Sequence, residues 1–273
     1  MKWTNIDSRY IYIIMAVVLL VPMFVPLGTP IVVSQQTKDS YKVFDGLKKG
    51  DIVWVSFDAG PSSTPELQPQ VVAVSRHLAK KGVRIAYFTM YETMSAQLCD
   101  DFIRPLMAEL NYKEGADWVN LGFKVGGDSL LQVAATDVWK AMAGVDMYNV
   151  PLDKYPMMND LKALKDVSII YSIQVGSPGT GNYITFLNAP YKTKIVSGSA
   201  GTMAANMVNT LKTGQIVGLL AGLTGGAEYE QLIGVPGKGS SSMDAQSFAH
   251  LFIVALLLVG NAGYFLNRKK GGK

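Results

Sequence analysis

The chain has one cysteine and two histidines in 273 residues. A single thiol cannot close an intrachain disulfide, so the fold must rest on its core. A chain longer than ~150 residues buries enough surface to do that. Cys99 lies in the helical stretch Ser95-Ala96-Gln97-Leu98-Cys99-Asp100 and reads as a packed small hydrophobe rather than a reactive thiol. His77 sits mid-helix and His250 within an apolar run, so neither stands beside a strand end to serve a Ser-His-Asp or Cys-His site. Zinc lacks ligands for the same reason. The nucleophile elbow Gly-x-Ser-x-Gly occurs nowhere upstream of Lys194, and neither the Walker pattern nor the dinucleotide fingerprint is complete. Charge is also scarce, at 17% of residues, against roughly 25% in soluble domains. The net charge of +4 forms no basic stripe with interleaved aromatics, which argues against nucleic acid as a partner.

The missing charge is concentrated in two apolar runs. The first, 10–33, contains no charged residue. A spanning helix needs ~20 apolar residues. Pro22, Pro26 and Pro30, four residues apart, each remove a backbone donor, so the helix is expected to start near Ser8 and loosen beyond Val21. A cleavable signal peptide is the rival reading, with Lys2 and Arg9 as its basic end and Val32-Val33-Ser34 as a cleavage site. The run is longer than the 7–15 residues of such a segment, which favours a retained anchor. The second run, 248–266, is followed by Asn267-Arg268-Lys269-Lys270 and Lys273. Basic residues flank membrane helices on the cytoplasmic side. The expected organisation is therefore a cytoplasmic 1–9, a span over 10–33, an extracytoplasmic domain over 34–247, a second span over 248–266 and a basic cytoplasmic tail, 267–273. His250 and Asn261 interrupt the second span on nearly one face, and Gly260, Ala262 and Gly263 would let another helix approach there.

Between the runs, β-branched stretches alternate with helical ones. Strands are expected at 52–57, 83–88, 117–121, 167–173 and 194–196, and helices at 65–81, 95–110, 128–143, 159–165, 182–189 and 200–211. Pro105 implies a kink in the second of these helices, and Asp128 reads as the N-cap of the third. The glycine-rich apolar stretch 215–234 reads as a helix packed on the domain or lying at the membrane surface. This order predicts an α/β fold: five mainly parallel strands with helices on both faces, Rossmann-like or flavodoxin-like, with 52–57 central beside the second and third strands.

In such sheets ligands bind beyond the carboxyl ends of the strands. The loops there supply Asp58, Ser62 and Ser63 after the first strand, Glu92 after the second, and Lys124, Gly126, Gly127 and Asp128 after the third. Gly176 and Ser177 follow the fourth strand, and Ser197 and Ser199 the fifth. Glycine- and hydroxyl-rich turns can cradle an anion with backbone N–H groups, although tight turns and helix caps account for the same residues. Asp58, Glu92 and Asp128 together would suit Mg²⁺ or acid–base chemistry. The sequence specifies no cofactor. Placement in a bilayer, the small-residue face of the second span and the absent catalytic set point first to a non-catalytic accessory or scaffold subunit. Its partner would be another membrane subunit or a second copy. A ligand-sensing domain is the alternative, and a carboxylate-dependent enzyme comes third.

Overall fold

The computed structural model describes residues 7–25 and 27–270, with 266–270 described by their backbone alone. Lys2, Pro26 and Lys273 lie outside the described residues, as do the side chains of Arg268, Lys269 and Lys270. Two compact units form, one from 32–239 and the other from the described parts of 1–31 and 240–273.

In the first unit the elements are α2 (Gln35–Asp45), β1 (Ile52–Asp58), α3 (Thr64–Lys80), β2 (Arg84–Thr89), α4 (Thr93–Glu109), β3 (Trp118–Phe123), α5 (Gly127–Ala134) and α6 (Val138–Ala141), preceded in the chain by α1 (Ser8–Phe24) of the second unit. There follow β4 (Ile169–Gln174), α7 (Thr180–Tyr183), a π-helical turn over Ile184–Asn188 and α8 (Ala189–Tyr191). The unit continues with β5 (Ile195–Ser199), α9 (Ala204–Lys212), β6 (Gly218–Ala221) and α10 (Gly222–Leu232), and α11 (Lys238–Lys270) leads out of it. The six strands are all parallel, in the order β3-β2-β1-β4-β5-β6. That is the Rossmann order, with its reversal of direction between β1 and β4.

Parallel sheets are covered on both faces, and every residue of β1 is accordingly buried. Val53, Val55 and Phe57 enter one core with Val71, Val74 and Leu78 of α3, while Ile52 and Trp54 enter the other with Leu130, Tyr183 and Leu187. The first core lies under α2, α3, α4 and α10, and the second under α5 to α9.

Five expectations need correction. There are six strands, because 218–221 within the glycine-rich stretch pairs with β5 and only then turns into α10. Four residues are too few to show a period. β1 is flanked by β2 and β4 rather than by β2 and β3, since β3 lies at the far edge. The helix expected over 128–143 is broken, and Asp137 caps α6 by accepting from the N–H of Lys140 at 2.9 Å. The stretch 159–165 forms 3₁₀ turns at Pro156–Asn159 and Leu164–Asp166 instead of an α-helix. Pro105 does not interrupt α4, which runs unbroken from Thr93 to Glu109.

Helix α10 packs closely on α3. A Cβ on Gly226 would stand 2.8 Å from Pro69 Cβ and 3.1 Å from the Gln70 backbone nitrogen, so this approach requires glycine. Two buried carboxylates of α10 hold the chain at the unit's two ends. Glu228 accepts from Ser34 Oγ at 2.6 Å and Thr37 Oγ1 at 2.5 Å, at the start of α2. Glu230 accepts from the N–H groups of Gly237 and Gly239, both at 2.9 Å, at the start of α11. Tyr229 between them hydrogen-bonds His77 Nδ1 at 2.8 Å, and the His77 ring stacks on Tyr41.

The second unit contains α1 and α11. Over Lys238–Phe265, α11 is long and apolar enough to cross a membrane. Helix α1 is apolar but has 17 residues, about 25 Å at 1.5 Å per residue, less than a ~30 Å hydrocarbon core. The first of the two expected spans, 10–33, is therefore not shown. Asp7 caps α1 by accepting from the Arg9 N–H at 2.9 Å. The Asp244 carboxylate accepts from the N–H groups of Leu27 at 2.7 Å, Gly28 at 3.0 Å and Thr29 at 2.9 Å, and from the Thr29 hydroxyl.

Candidate functional site

The carboxyl ends of β1, β4 and β5 carry polar residues on the face toward α7. Parallel register sets them in two rows. Ser56, Ser172 and Ser197 stand side by side, and one step further along lie Asp58, Gln174 and Ser199. All six are buried. An unpaired polar group at this depth is costly, and helix α7 satisfies much of the need. Thr180 Oγ1 lies 3.2 Å from Ser172 Oγ and 2.9 Å from Ser197 Oγ. The Thr180 N–H donates to Gln174 Oε1 at 2.7 Å, and Trp54 Nε1 donates to Tyr183 Oη at 3.1 Å. Ser199 Oγ has no hydrogen-bond partner among the described residues.

Asp58 closes the β1 end of these rows. Its Oδ2 accepts from Ser56 Oγ at 2.5 Å, and its Oδ1 from Met90 N–H at 2.8 Å and Thr89 Oγ1 at 3.1 Å. Burial pushes its carboxyl up to about 6, against these hydrogen bonds. Asp58 thus ties the end of β1 to the end of β2 and is not open to a ligand. Ser63 donates to the Gly60 carbonyl at 3.0 Å, Ser62 is exposed, and Glu92 packs its carboxylate over Gly60. Among the described residues no three His, Cys, Asp or Glu side chains come together as a metal site.

Over the β4 end of the rows lies an open cavity of about 410 Å³. It brings together Asp128, Gly176 and Ser177 with Gln174, Asn182, Thr185, Phe186, Met203 and Met207, from α5, the β4–α7 loop and the approach to α9. Asp128 is in the first turn of α5, whose N-cap position is Gly126, so it does not cap the helix as expected. Instead it accepts from Asn182 Nδ2 at 2.7 Å. Asn182 Oδ1 in turn accepts from the Gly179 N–H at 2.9 Å. A Cβ on Gly179 would fall 2.0 Å from Gln174 Oε1, so only glycine admits this fold of the loop. Gln174 Nε2 donates to Met207 Sδ at 3.1 Å, a weak acceptor.

No family model matches the chain, and no curated protein matches it. Among solved structures, a crystal structure of AibC aligns with 90% of this chain at 13% identity and a TM-score of 0.31. The chain spans 56% of that structure's length.

Of the remaining candidates, Gly126 and Gly127 form the start of α5, both at positive φ. Lys124 lines a different cavity, of about 260 Å³, at the end of β3 with Gln97, Asp146 and Asn149. Burial lowers its ammonium, with the Asp146 charge opposing. Cys99 is buried, and burial, with the Asp100 charge added, holds its thiol well above the ordinary range. Gly260 and Asn261 are exposed on α11 along with His250, and a Cβ on Gly260 would meet nothing within 4 Å. Gly263 is half-buried. Ser56, Ser172, Gln174 and Thr180 stand outside the loop candidates of the sequence. A signal was there: three apolar strands end in polar residues spaced by two, Ser56-x-Asp58, Ser172-x-Gln174 and Ser197-x-Ser199. Such a pair points to the same face of a strand.

Proposed function

We propose that this chain is a membrane-tethered, non-catalytic binding domain that holds a small ligand at the carboxyl end of β4. The observation that carries the reading is the 410 Å³ cavity over the polar rows, beside the strand-order reversal between β1 and β4, where open α/β sheets hold their ligands. Helix α11 supplies the tether, α1 a second anchor, and the basic residues at both ends favour cytoplasmic termini with 34–247 on the opposite side. Gly181 lines the cavity and has nothing within 4 Å of a Cβ, so Gly181→Trp is expected to fill the space while the domain stays folded. Thermal-shift screening of the full chain in mild detergent, against a broad small-molecule library, tests this. The reading requires ligands that raise Tm in the parent and not in Gly181→Trp. If every stabilising compound acts equally on both, it fails.

A scaffold role is the second reading, favoured by the exposed Gly260 and Asn261 on α11. An asparagine amide in hydrocarbon gains from a neighbouring helix, by about 1 kcal/mol per contact. Crosslinking in detergent should then fall more for Gly263→Leu, which adds bulk where backbones meet, than for Asn261→Leu. Parent-like association of both variants would leave α11 as an anchor only.

A further inference from the structure

We infer that the cavity at the end of β4 takes a small amine with an apolar body, not the phosphate-bearing ligand usual for this sheet order. The inference rests on the binding reading above and concerns the chemistry of the lining. Phosphate is normally held in these folds by free backbone N–H groups of a glycine-rich loop and by the start of the following helix. Here the protein's own side chains take those groups. Asn182 Oδ1 holds the Gly179 N–H and Gln174 Oε1 holds the Thr180 N–H. Among the described residues lining the cavity, Asp128 is the one ionisable side chain, and no lysine, arginine or histidine is present.

The groups that do face the space suit the opposite charge. The Asp128 carboxylate is held in place by the Asn182 amide, and it can pair with an ammonium. Phe186 lines the space, and an aromatic ring attracts cations over its face. The thioethers of Met203 and Met207 provide an adaptable apolar wall. Ser177 and Thr185 add hydroxyls at the mouth. The Gln174 Nε2, buried and donating only to a thioether, can donate to an acceptor on the ligand.

Three probes of one size separate charge from shape: benzylamine, benzyl alcohol and benzoate. The full chain in detergent, labelled with ¹³C-methyl methionine, reports binding through Met203 and Met207, assigned by Met→Leu substitution at each. Benzylamine should move both methyls saturably, with a Kd about fivefold below that of benzyl alcohol, as for a solvent-exposed ion pair. Benzoate should move neither. Asp128→Asn keeps an acceptor for Asn182, and should bring benzylamine to the level of the alcohol without changing the alcohol. Equal binding of amine and alcohol by the parent, or an unaffected Asp128→Asn, would overturn the amine assignment while the cavity stands as a binding site. If no probe moves either methyl, the binding reading falls and the assignment with it.

Discussion

The buried Asp58 should leave a signature in stability against pH. Its carboxyl lies at about 6 in the folded protein, against an ordinary 3.8, because burial outweighs the donors from Ser56, Met90 and Thr89. The native state therefore binds more protons than the unfolded chain across that window, and stability falls as pH rises through it. The full difference is about 3 kcal/mol, at ~1.36 kcal/mol per pH unit, of which about 2.4 kcal/mol is lost between pH 4 and 7. Asp58→Asn removes the titration while keeping an oxygen for Met90 N–H and Thr89 Oγ1, and Ser56 can turn its hydroxyl to accept from the new amide. The measurement is urea unfolding of the full chain in detergent, followed by tryptophan fluorescence from pH 4 to 8. Other groups titrate in both proteins, so the quantity of interest is the difference. Asp58→Asn should gain about 2.4 kcal/mol on the parent from pH 4 to 7, with the change centred between 4 and 6. Parallel profiles would refute the account of Asp58 as a carboxyl held up by burial.

His77 should act in the opposite sense. Burial lowers its imidazole, with Asp45 opposing, so its contribution is complete above the ordinary value of 6.5 and is lost as pH falls below it; the unfolding midpoint of His77→Gln should depend less steeply on pH between 5 and 7. Glu230→Ala leaves the N–H groups of Gly237 and Gly239 without this acceptor, at about 1–3 kcal/mol for the buried Gly239 donor, and limited proteolysis should then cut between Ile233 and Gly239. Gly226→Ala forces α10 from α3 and should lower stability by about 1–3 kcal/mol, read as a drop in the urea midpoint.

The alternation of strands and helices through β5 was legible because each strand is a β-branched run bounded by turn residues. The β1–β2–β4 neighbourhood was not, since pairing order depends on which crossovers reverse, and no single strand records that. β6 escaped because Gly218-Leu-Leu-Ala sits in a glycine-rich stretch whose apolar content reads equally as helix. Gly218 has a tertiary reason: a Cβ there would meet Ser40 Oγ at 2.6 Å, where α2 crosses the strand. The candidate site was legible by address but not by role. Asp58 does follow β1, yet its oxygens serve Ser56, Thr89 and Met90. Ser197 and Ser199 are core residues rather than loop groups. The cavity's chemistry comes from Asn182, Phe186, Met203 and Met207, which no loop motif marks. Glu228 and Glu230 looked only like charges interrupting an apolar run, because the partners of Glu228 lie at the other end of the domain's sequence and those of Glu230 include backbone N–H groups, which no motif marks.

Those two carboxylates have a consequence for modularity. They are two residues apart on α10, about 3 Å along its axis, and one grips the domain's entry near Ser34 while the other grips its exit near Gly239. Entry and exit are thus both fixed from one helix, which holds them within the order of its diameter, ~10–12 Å, and ends held close are the condition under which a domain can be inserted into a host chain without stretching it. The α/β unit can be regarded as a cassette whose two seams lie on one helix. It should tolerate transplantation between paired helices, or rejoining of its own ends with new termini opened in the exposed turn at Thr213-Gly214.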